Sequence, residues 1–393
     1  MVSPARLAEG LGAFGLDREG RPEQPLVHVD LDGCSALASG VVEAAVAAAA
    51  EARHILVGVA SRPLEQEGLH LAATLSLSLV PPAPSGQSVA RSCIAAADPT
   101  RTAMSLATSV LATPMAATTL TGLLRLTEQL PVADGLFAES LAYSTLLAGP
   151  EFAAWRQSTP RRPVPVGTPD DPPVVLVREE GLLRITLNRP RRHNAFSSEL
   201  RDGLLEALDL ARWDPTLTAV ELTGRGRSFC SGGDLDEFGT APDPAAAHLI
   251  RTRQSVAHAI DRVGARVRTL VHGACIGAGI ELPSFGARLE ARPGAYFQLP
   301  ELRMGLIPGA GGTVGITRRI GRWRTAYMAL SGNPVDVPTA LEWGLVDAAL
   351  TDDAPREPGG PHTRISAPSR PYRLEQRSYR GRKAWRLTRG DWA

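Results

Sequence analysis

The sequence predicts an α/β fold in two parts. Three observations carry this: strand–turn–helix units repeat between residues 174 and 350, a strand–helix–strand order opens the chain between residues 26 and 60, and a proline-rich stretch separates the two regions. Alternating strands and helices favour a mostly parallel sheet, whose sites lie in loops beyond the strand ends. At 393 residues the chain is longer than one ordinary domain, and 44% hydrophobic residues suffice for sizeable cores.

Taken in order, residues 1–24 read as poorly ordered loop. Leu26–Leu31 is a strand signal, Gly40–Arg53 an alanine-rich helix and His54–Ala60 a second strand without a breaker. Leu64–Leu79 reads as another helix, and the prolines at 81, 82 and 84 end it. From Thr100 the pattern is helical: Ala103–Leu111, Pro114–Leu126, Val132–Ala148 and Pro150–Gln157, with prolines at first-turn positions. This block shows no chemistry, and its acids Glu128, Glu139 and Glu151 are expected in solvent. Ser158–Pro173 holds six prolines in 16 residues and cannot sustain a helix or a central strand. The expected division is residues 1–160, a linker at 161–173, a domain at 174–350 and a tail at 351–393.

The second domain opens with a hairpin, Val174–Arg178 and Leu182–Leu187 around Glu-Glu-Gly. Ser197 can cap a helix over Ser198–Arg212. Ala219–Thr223 is a strand, and a helix starting at Asp243-Pro244 runs to Arg262. Thr269–His272 is a strand before a helix over Gly277–Phe285, Gly309–Gly312 leads into a helix to Ile320, and two further helices fit Arg322–Leu330 and Pro338–Trp343. The tail from Thr351, rich in Pro, Gly and Arg, shows no helical or strand periodicity and is expected to be extended or disordered on its own.

Composition narrows the function. With 42 basic and 41 acidic residues the net charge is +1, which points away from nucleic acid. Eight basic residues fall between Arg370 and Arg389, but aromatic interleaving there is thin. Cys34, Cys93, Cys230 and Cys275 show neither metal nor redox spacing. They read as reduced thiols of a cytoplasmic protein, with Cys230 and Cys275 as packing residues. No signal pattern or membrane span is expected.

The chemistry concentrates between Ser228 and Pro308. Two small-residue turns, S-F-C-S-G-G-D-L (Ser228–Leu235) and H-G-A-C-I-G-A-G-I-E-L-P (His272–Pro283), each follow a strand. Such turns can aim backbone N–H groups at a ligand with a helix dipole behind them. Neither has a P-loop ending or the G-x-G-x-x-G pattern. Glu281 stands on the helix after the second turn and Glu301 in Q-L-P-E-L-R-M-G-L-I-P (Gln298–Pro308). Two carboxyls facing one water can move protons in both directions if burial raises a pKa toward neutrality. Read singly, each turn could be structural, Glu281 a helix-start acid and Glu301 an exposed loop acid.

Jointly, these segments resemble the crotonase (enoyl-CoA hydratase/isomerase) superfamily. The resemblance also rests on N-R-P-R-R-H-N-A-F, F-Q-L-P-E-L-R-M-G-L-I-P-G-A-G-G-T and A-L-E-W-G-L-V-D, and it covers Val174–Leu350. It implies a crotonase-like spiral of ββα units. It also implies an oxyanion hole from the N–H groups of Gly233 and Ala278. The family's hydratases place two catalytic glutamates 20 residues apart, as from Glu281 to Glu301 here. The reaction so implied is syn addition of water to an α,β-unsaturated acyl-CoA, or its reverse. Coenzyme A, part of the substrate rather than a bound cofactor, is expected at Arg191, Arg192, Ala195, Ser231 and Asp234. A homotrimer or dimer of trimers is expected, with no metal, nucleic acid or membrane partner.

The sequence departs from the family at three points. Pro283 and Ala287 alter the segment after the first glutamate, Ala278 stands where glycine is usual, and the helices that normally close the fold do not follow Asp347. Residues 1–160 resemble a shortened, degenerate crotonase unit whose helices replace the missing ones. Two other readings stay open: double-bond isomerisation or a specialised biosynthetic step on a CoA thioester, and a non-catalytic acyl-CoA-binding or scaffold protein. The pocket helix carries Arg251, Arg253 and His258, whose facing the sequence leaves open.

Overall fold

Strands added side by side in chain order organise both halves of the chain. The computed structural model describes residues 1–84, 87–162 and 172–351, and the backbones of Tyr372–Tyr379 and Arg382–Arg389. The first half runs α1 (Pro4–Ala8), β1 (Leu26–Asp30), α2 (Ser39–Glu51), β2 (Ile55–Val59), α3 (Gln66–Thr74), β3 (Leu77–Val80) and β4 (Cys93–Ala95). The strands form one parallel sheet in the order β1-β2-β3-β4. All five residues of β2 are buried. A side chain at Gly58 would meet Leu31 and Ser78 at 2.6 Å.

Two expectations are corrected here. Residues 1–24 are not all loop: Ser3 caps α1 by accepting from Arg6 N, Val2 pairs with Val29, and Leu7 is fully buried. Leu7 packs in a cluster with Ala45 and Ala49, which anchors the segment. The helix expected over Leu64–Leu79 stops at Thr74, and Leu77–Val80 becomes a strand. Its four residues are buried in the sheet, a setting that short apolar runs do not announce by period.

Four helices follow: α4 (Pro99–Ala112), α5 (Pro114–Thr127), α6 (Val132–Leu147) and α7 (Pro150–Ser158). Asp98 caps α4 through Arg101 N. No single helix among the described residues is long and apolar enough to cross a membrane; α4 and α5 together have the length but turn by 110° between them. Glu128 is exposed as expected, whereas Glu139 and Glu151 are not simply solvated. The Glu151 carboxylate accepts from Met115 N at 2.8 Å and Ala116 N at 3.0 Å, closing the start of α5. Glu128 pairs with Arg322 at 3.2 Å. Glu139 is buried at the site described below.

The second half contains β5 (Val174–Glu179), β6 (Leu182–Leu187), α8 (Ser198–Trp213), β7 (Ala219–Gly224), α9 (Pro244–Arg253), α10 (Val256–Val263), β8 (Val267–Val271), β9 (Ala274–Ile276), α11 (Ala278–Glu281), β10 (Arg288–Ala291), β11 (Tyr296–Gln298), α12 (Gly312–Ser331), β12 (Val335–Asp336), α13 (Val337–Trp343) and β13 (Ala348–Ala349). The main sheet is β13-β10-β8-β7-β6-β5, parallel except for β5, and β12-β11-β9 form a small sheet.

The helix expected from Asp243 to Arg262 is two helices, because Ser255 caps a new one through His258 N. The helix expected over Gly277–Phe285 makes one turn before a 3₁₀ turn at Pro283–Phe285; Pro283 lacks the N–H that would continue it. In α12 the kink falls at Gly321, with φ +81°.

The tail also differs from expectation. Tyr372–Tyr379 (β14) and Arg382–Arg389 (β15) pair as an antiparallel two-stranded sheet. Two runs containing Tyr, Leu, Trp and Thr, two residues apart, carry a hairpin signal that the arginine count obscured. The rest of the tail, and residues 163–171 of the proline-rich stretch, lie outside the described residues.

One hydrophobic core runs through both halves. Ile55, Leu79, Leu106 and Leu120 belong to the same buried cluster as Ile316, Ile320 and Leu330. Helix α12 packs on α4, α5, α6 and β3. Arg322 donates to Leu75 O at 2.7 Å and Ala73 O at 2.6 Å, and Thr127 Oγ1 donates to Thr313 O at 2.8 Å.

Candidate active site

The first glycine turn is shaped by Asn194, whose φ is +52° and whose side chain is fully buried. Its Nδ2 donates to Arg225 O at 2.8 Å, and to Ser228 O and Phe229 O at 3.0 Å each. Beside it, Phe196 N donates to Gly232 O at 2.7 Å and Asp234 N donates to Phe196 O at 3.0 Å. This pairing skips the Gly233 N–H, which donates to no group among the described residues.

The second turn pivots on Gly277, at φ +50° and ψ −121°. That conformation excludes an ordinary side chain. Gly277 N donates to Gln298 O at 2.9 Å, and the next N–H, of Ala278, is the unpaired start of α11. The turns are tied together by Cys230 N to Ala274 O at 3.2 Å and Ile276 N to Cys230 O at 3.0 Å. Cys230 and Cys275 are buried in this contact. Burial pushes the Cys230 thiol up to about 12 and that of Cys275 well above its ordinary value, so both pack rather than react.

Both glutamates are buried in the wall of one cavity of about 940 Å³, which Gly233 and Ala278 also line. A Cβ on Gly277 would stand 2.5 Å from Glu301 Oε1 and 3.7 Å from Glu281 Oε1, so the two carboxyls converge on one point. Glu281 Oε2 accepts from Ala310 N and Gly312 N, each at 2.8 Å. Burial raises the Glu281 pKa to about 7, while these N–H donors oppose the rise. Glu301 Oε2 is buried and accepts from no group among the described residues. Burial, then the charge of Glu281, raises its pKa well above the carboxylate range.

A third carboxyl, which the sequence reading placed in solvent, completes the set. Glu139 of α6 is 2% exposed. Its Oε1 accepts from Gly311 N at 2.7 Å, and its Oε2 accepts from Thr313 N at 3.0 Å and Thr313 Oγ1 at 2.7 Å. Burial, then the charge of Glu281, raises its pKa to about 8. A signal for Glu139 exists in the sequence: Gly135, Glu139, Tyr143 and Leu146 form one buried stripe of α6 at helical spacing.

The residues expected at coenzyme A divide. Asp234 lines the cavity, whereas Arg191, Arg192, Ala195 and Ser231 do not. Arg191 is exposed, and Arg192 is held by Asp234 and Asp236 at 3.0 Å each. On the pocket helices, Arg251 and His258 face the cavity, and Arg253 is exposed outside it. Among the described residues no group of three or more His, Cys, Asp or Glu is placed to hold a metal ion. The arrangement offers two backbone donors for a developing oxyanion and buried acids beside them.

Part of the chain is similar to known proteins. The family model for enoyl-CoA hydratase/isomerase matches residues 177–356. Over 180 residues the chain is 35% identical to 1,2-epoxyphenylacetyl-CoA isomerase of Escherichia coli (strain K12), covering 44% of this chain and 68% of that protein. It is 33% identical over 180 residues to 2,3-dehydroadipyl-CoA hydratase of the same organism, covering 46% and 70%. The crystal structure of an enoyl-CoA hydratase from Thermoplasma volcanium aligns at a TM-score of 0.43 and 30% identity, covering 46% of this chain and 72% of that one.

Proposed function

The chain belongs to the enoyl-CoA hydratase/isomerase family, and from that premise we propose that it adds water across the double bond of an α,β-unsaturated acyl-CoA, or runs the reverse elimination. The observation that carries this reading is the convergence of Glu281 and Glu301 at Gly277, in a cavity with two unpaired N–H groups. The Gly233 and Ala278 N–H groups hold the thioester oxygen as it gains charge. One such donor is worth roughly 3–4 kcal/mol. Glu281, favoured as carboxylate by Ala310 and Gly312, takes a proton from water as the water oxygen bonds to Cβ. Glu301, kept protonated by burial, gives its proton to Cα on the same face. Glu281 ends protonated and Glu301 ionised, and exchange with solvent resets them. In this reading Arg191 and Ala195 approach coenzyme A from outside the acyl cavity.

Hydration of crotonyl-CoA by Glu281→Gln and Glu301→Gln tests the proposal. Each variant should fall by about 10²–10⁴-fold. Retention of hydration in either would show that the pair does not act as two carboxyls. The relative named as an isomerase gives weight to a second reading, proton transfer between carbons of an acyl-CoA. There one carboxyl suffices, and one of the two variants should keep isomerising while losing hydration.

A further inference from the structure

The cavity carries a positive charge that forms no ion pair with a carboxylate of the described residues, although the charge of Glu139 acts on it at longer range. Arg251 of α9 is half-buried and lines the cavity. Its guanidinium lies 4.5 Å over the Tyr143 ring, Nε donates to Ser140 Oγ at 3.3 Å, and Nη2 donates to Ser144 Oγ. All three partners stand on α6 and all are neutral. Nη1 has no acceptor among the described residues. Glu139, the acid on the same helix, has both oxygens taken by Gly311 and Thr313. Withdrawing a cation from water without a counter-charge is unfavourable unless a partner arrives. The hydroxyls and the aromatic face fix the guanidinium plane, and a fixed plane suits two-point recognition of a carboxylate.

Its position relates this charge to the acid–base pair. The Tyr143 ring packs so closely on Gly309 that no side chain fits there. The next residue, Ala310, donates the N–H that holds Glu281. Arg251 therefore lies across one aromatic ring from the turn whose N–H groups hold the Glu281 carboxylate. Leu136, Tyr143, Ile250 and Arg251 line the same cavity as the two glutamates. The geometry points to an enoyl-CoA whose acyl chain ends in a carboxylate, gripped by the guanidinium of Arg251. This inference rests on the hydratase reading of the same site.

The test compares trans-2-hexenedioyl-CoA with trans-2-hexenoyl-CoA, which differ in the terminal group. Wild-type kcat/KM should favour the dicarboxylic thioester by at least about 100-fold. In Arg251→Met the ratio should collapse to within about threefold of unity, and Arg251→Lys should lie between, because ammonium keeps the charge without the fork. A wild-type preference for hexenoyl-CoA overturns the inference. So does a ratio unchanged in Arg251→Met, the result expected if Arg251 served coenzyme A itself. Calorimetric binding of the saturated pair, adipoyl-CoA and hexanoyl-CoA, separates the two readings. If neither enoyl thioester is turned over, hydration fails, while tighter adipoyl-CoA binding that depends on Arg251 still upholds the anion site. Should Arg251→Met not fold by circular dichroism, the wild-type ratio and Arg251→Lys decide alone.

Discussion

Glu139 and Glu281 take alternate N–H groups of one turn: Glu281 binds Ala310 and Gly312, and Glu139 binds Gly311 and Thr313. The two acids come from opposite halves of the chain, so the first half reaches the proposed acid–base site itself. Glu139→Gln sets an amide NH₂ against the backbone N–H of Gly311 or of Thr313, leaving a buried donor unpaired, a loss of about 1–3 kcal/mol. We expect kcat to fall at least about tenfold with KM little changed, because the turn that orients Glu281 loosens. Thr313→Ala, which removes one of the three donors, should cost less. Steady-state kinetics on crotonyl-CoA checks both, and an unaltered kcat in Glu139→Gln would reduce Glu139 to a structural clamp.

How far the sequence reading reached follows from these residues. The two glycine turns were legible as small-residue runs that follow strands, while the pairing of Glu281 with Glu301 and the donor positions Gly233 and Ala278 came from the family resemblance. Glu139 was not legible, because its partners stand in a turn more than 170 residues later. An acid on a helix surface is ordinarily solvated, and only its place in the stripe with Gly135 and Tyr143 argued otherwise. The small strands β9, β11 and β12 were missed for a related reason: at two or three residues they carry no period of their own.

Gly277→Ala isolates the convergence of the proposed catalytic pair, Glu281 and Glu301. The new methyl would stand 2.5 Å from Glu301 Oε1 at a φ of +50°. Either the carboxyl or the turn must move, and such strain costs about 1–3 kcal/mol. The protein should fold, with hydration reduced by about 100-fold or more. A variant with native melting behaviour and full activity would show that Glu301 need not approach this turn.

Removing residues 1–160 tests the proposal that they are a shortened second unit covering the first. Residues 161–393 alone should be insoluble or inactive, since α12 would lose its cover from α4, α5 and α6. A soluble, active fragment would end the idea. Arg322→Ala probes the same interface within the intact chain. It deletes bonds to Ala73 and Leu75 and the Glu128 pair from a nearly buried side chain. Glu128 is exposed, so the ion pair itself adds little. The loss comes mainly from the buried Leu75 carbonyl and the part-buried Ala73 carbonyl left without their charged donor, about 1–3 kcal/mol each, read as a lower urea midpoint.

The three buried carboxyls also make stability depend on pH with a definite sign. Each is raised in the folded protein, Glu281 to about 7, Glu139 to about 8 and Glu301 further above its ordinary value. The unfolded chain ionises them near pH ~4.3, so between that value and about 7 the folded state holds more protons. The stabilisation is full at acidic pH and drains away as pH rises through the folded values, by at most about 1.4 kcal/mol per pH unit for each group. Melting temperatures should therefore decline from pH 5 to pH 8.5, more gently in Glu139→Gln than in wild type. Activity should move differently. The proposed hydration has Glu281 ionised and Glu301 protonated, so kcat/KM should climb through about pH 7 and fall at higher pH as Glu301 ionises. A profile that is flat from pH 6 to 8 would remove Glu281 from the role of base.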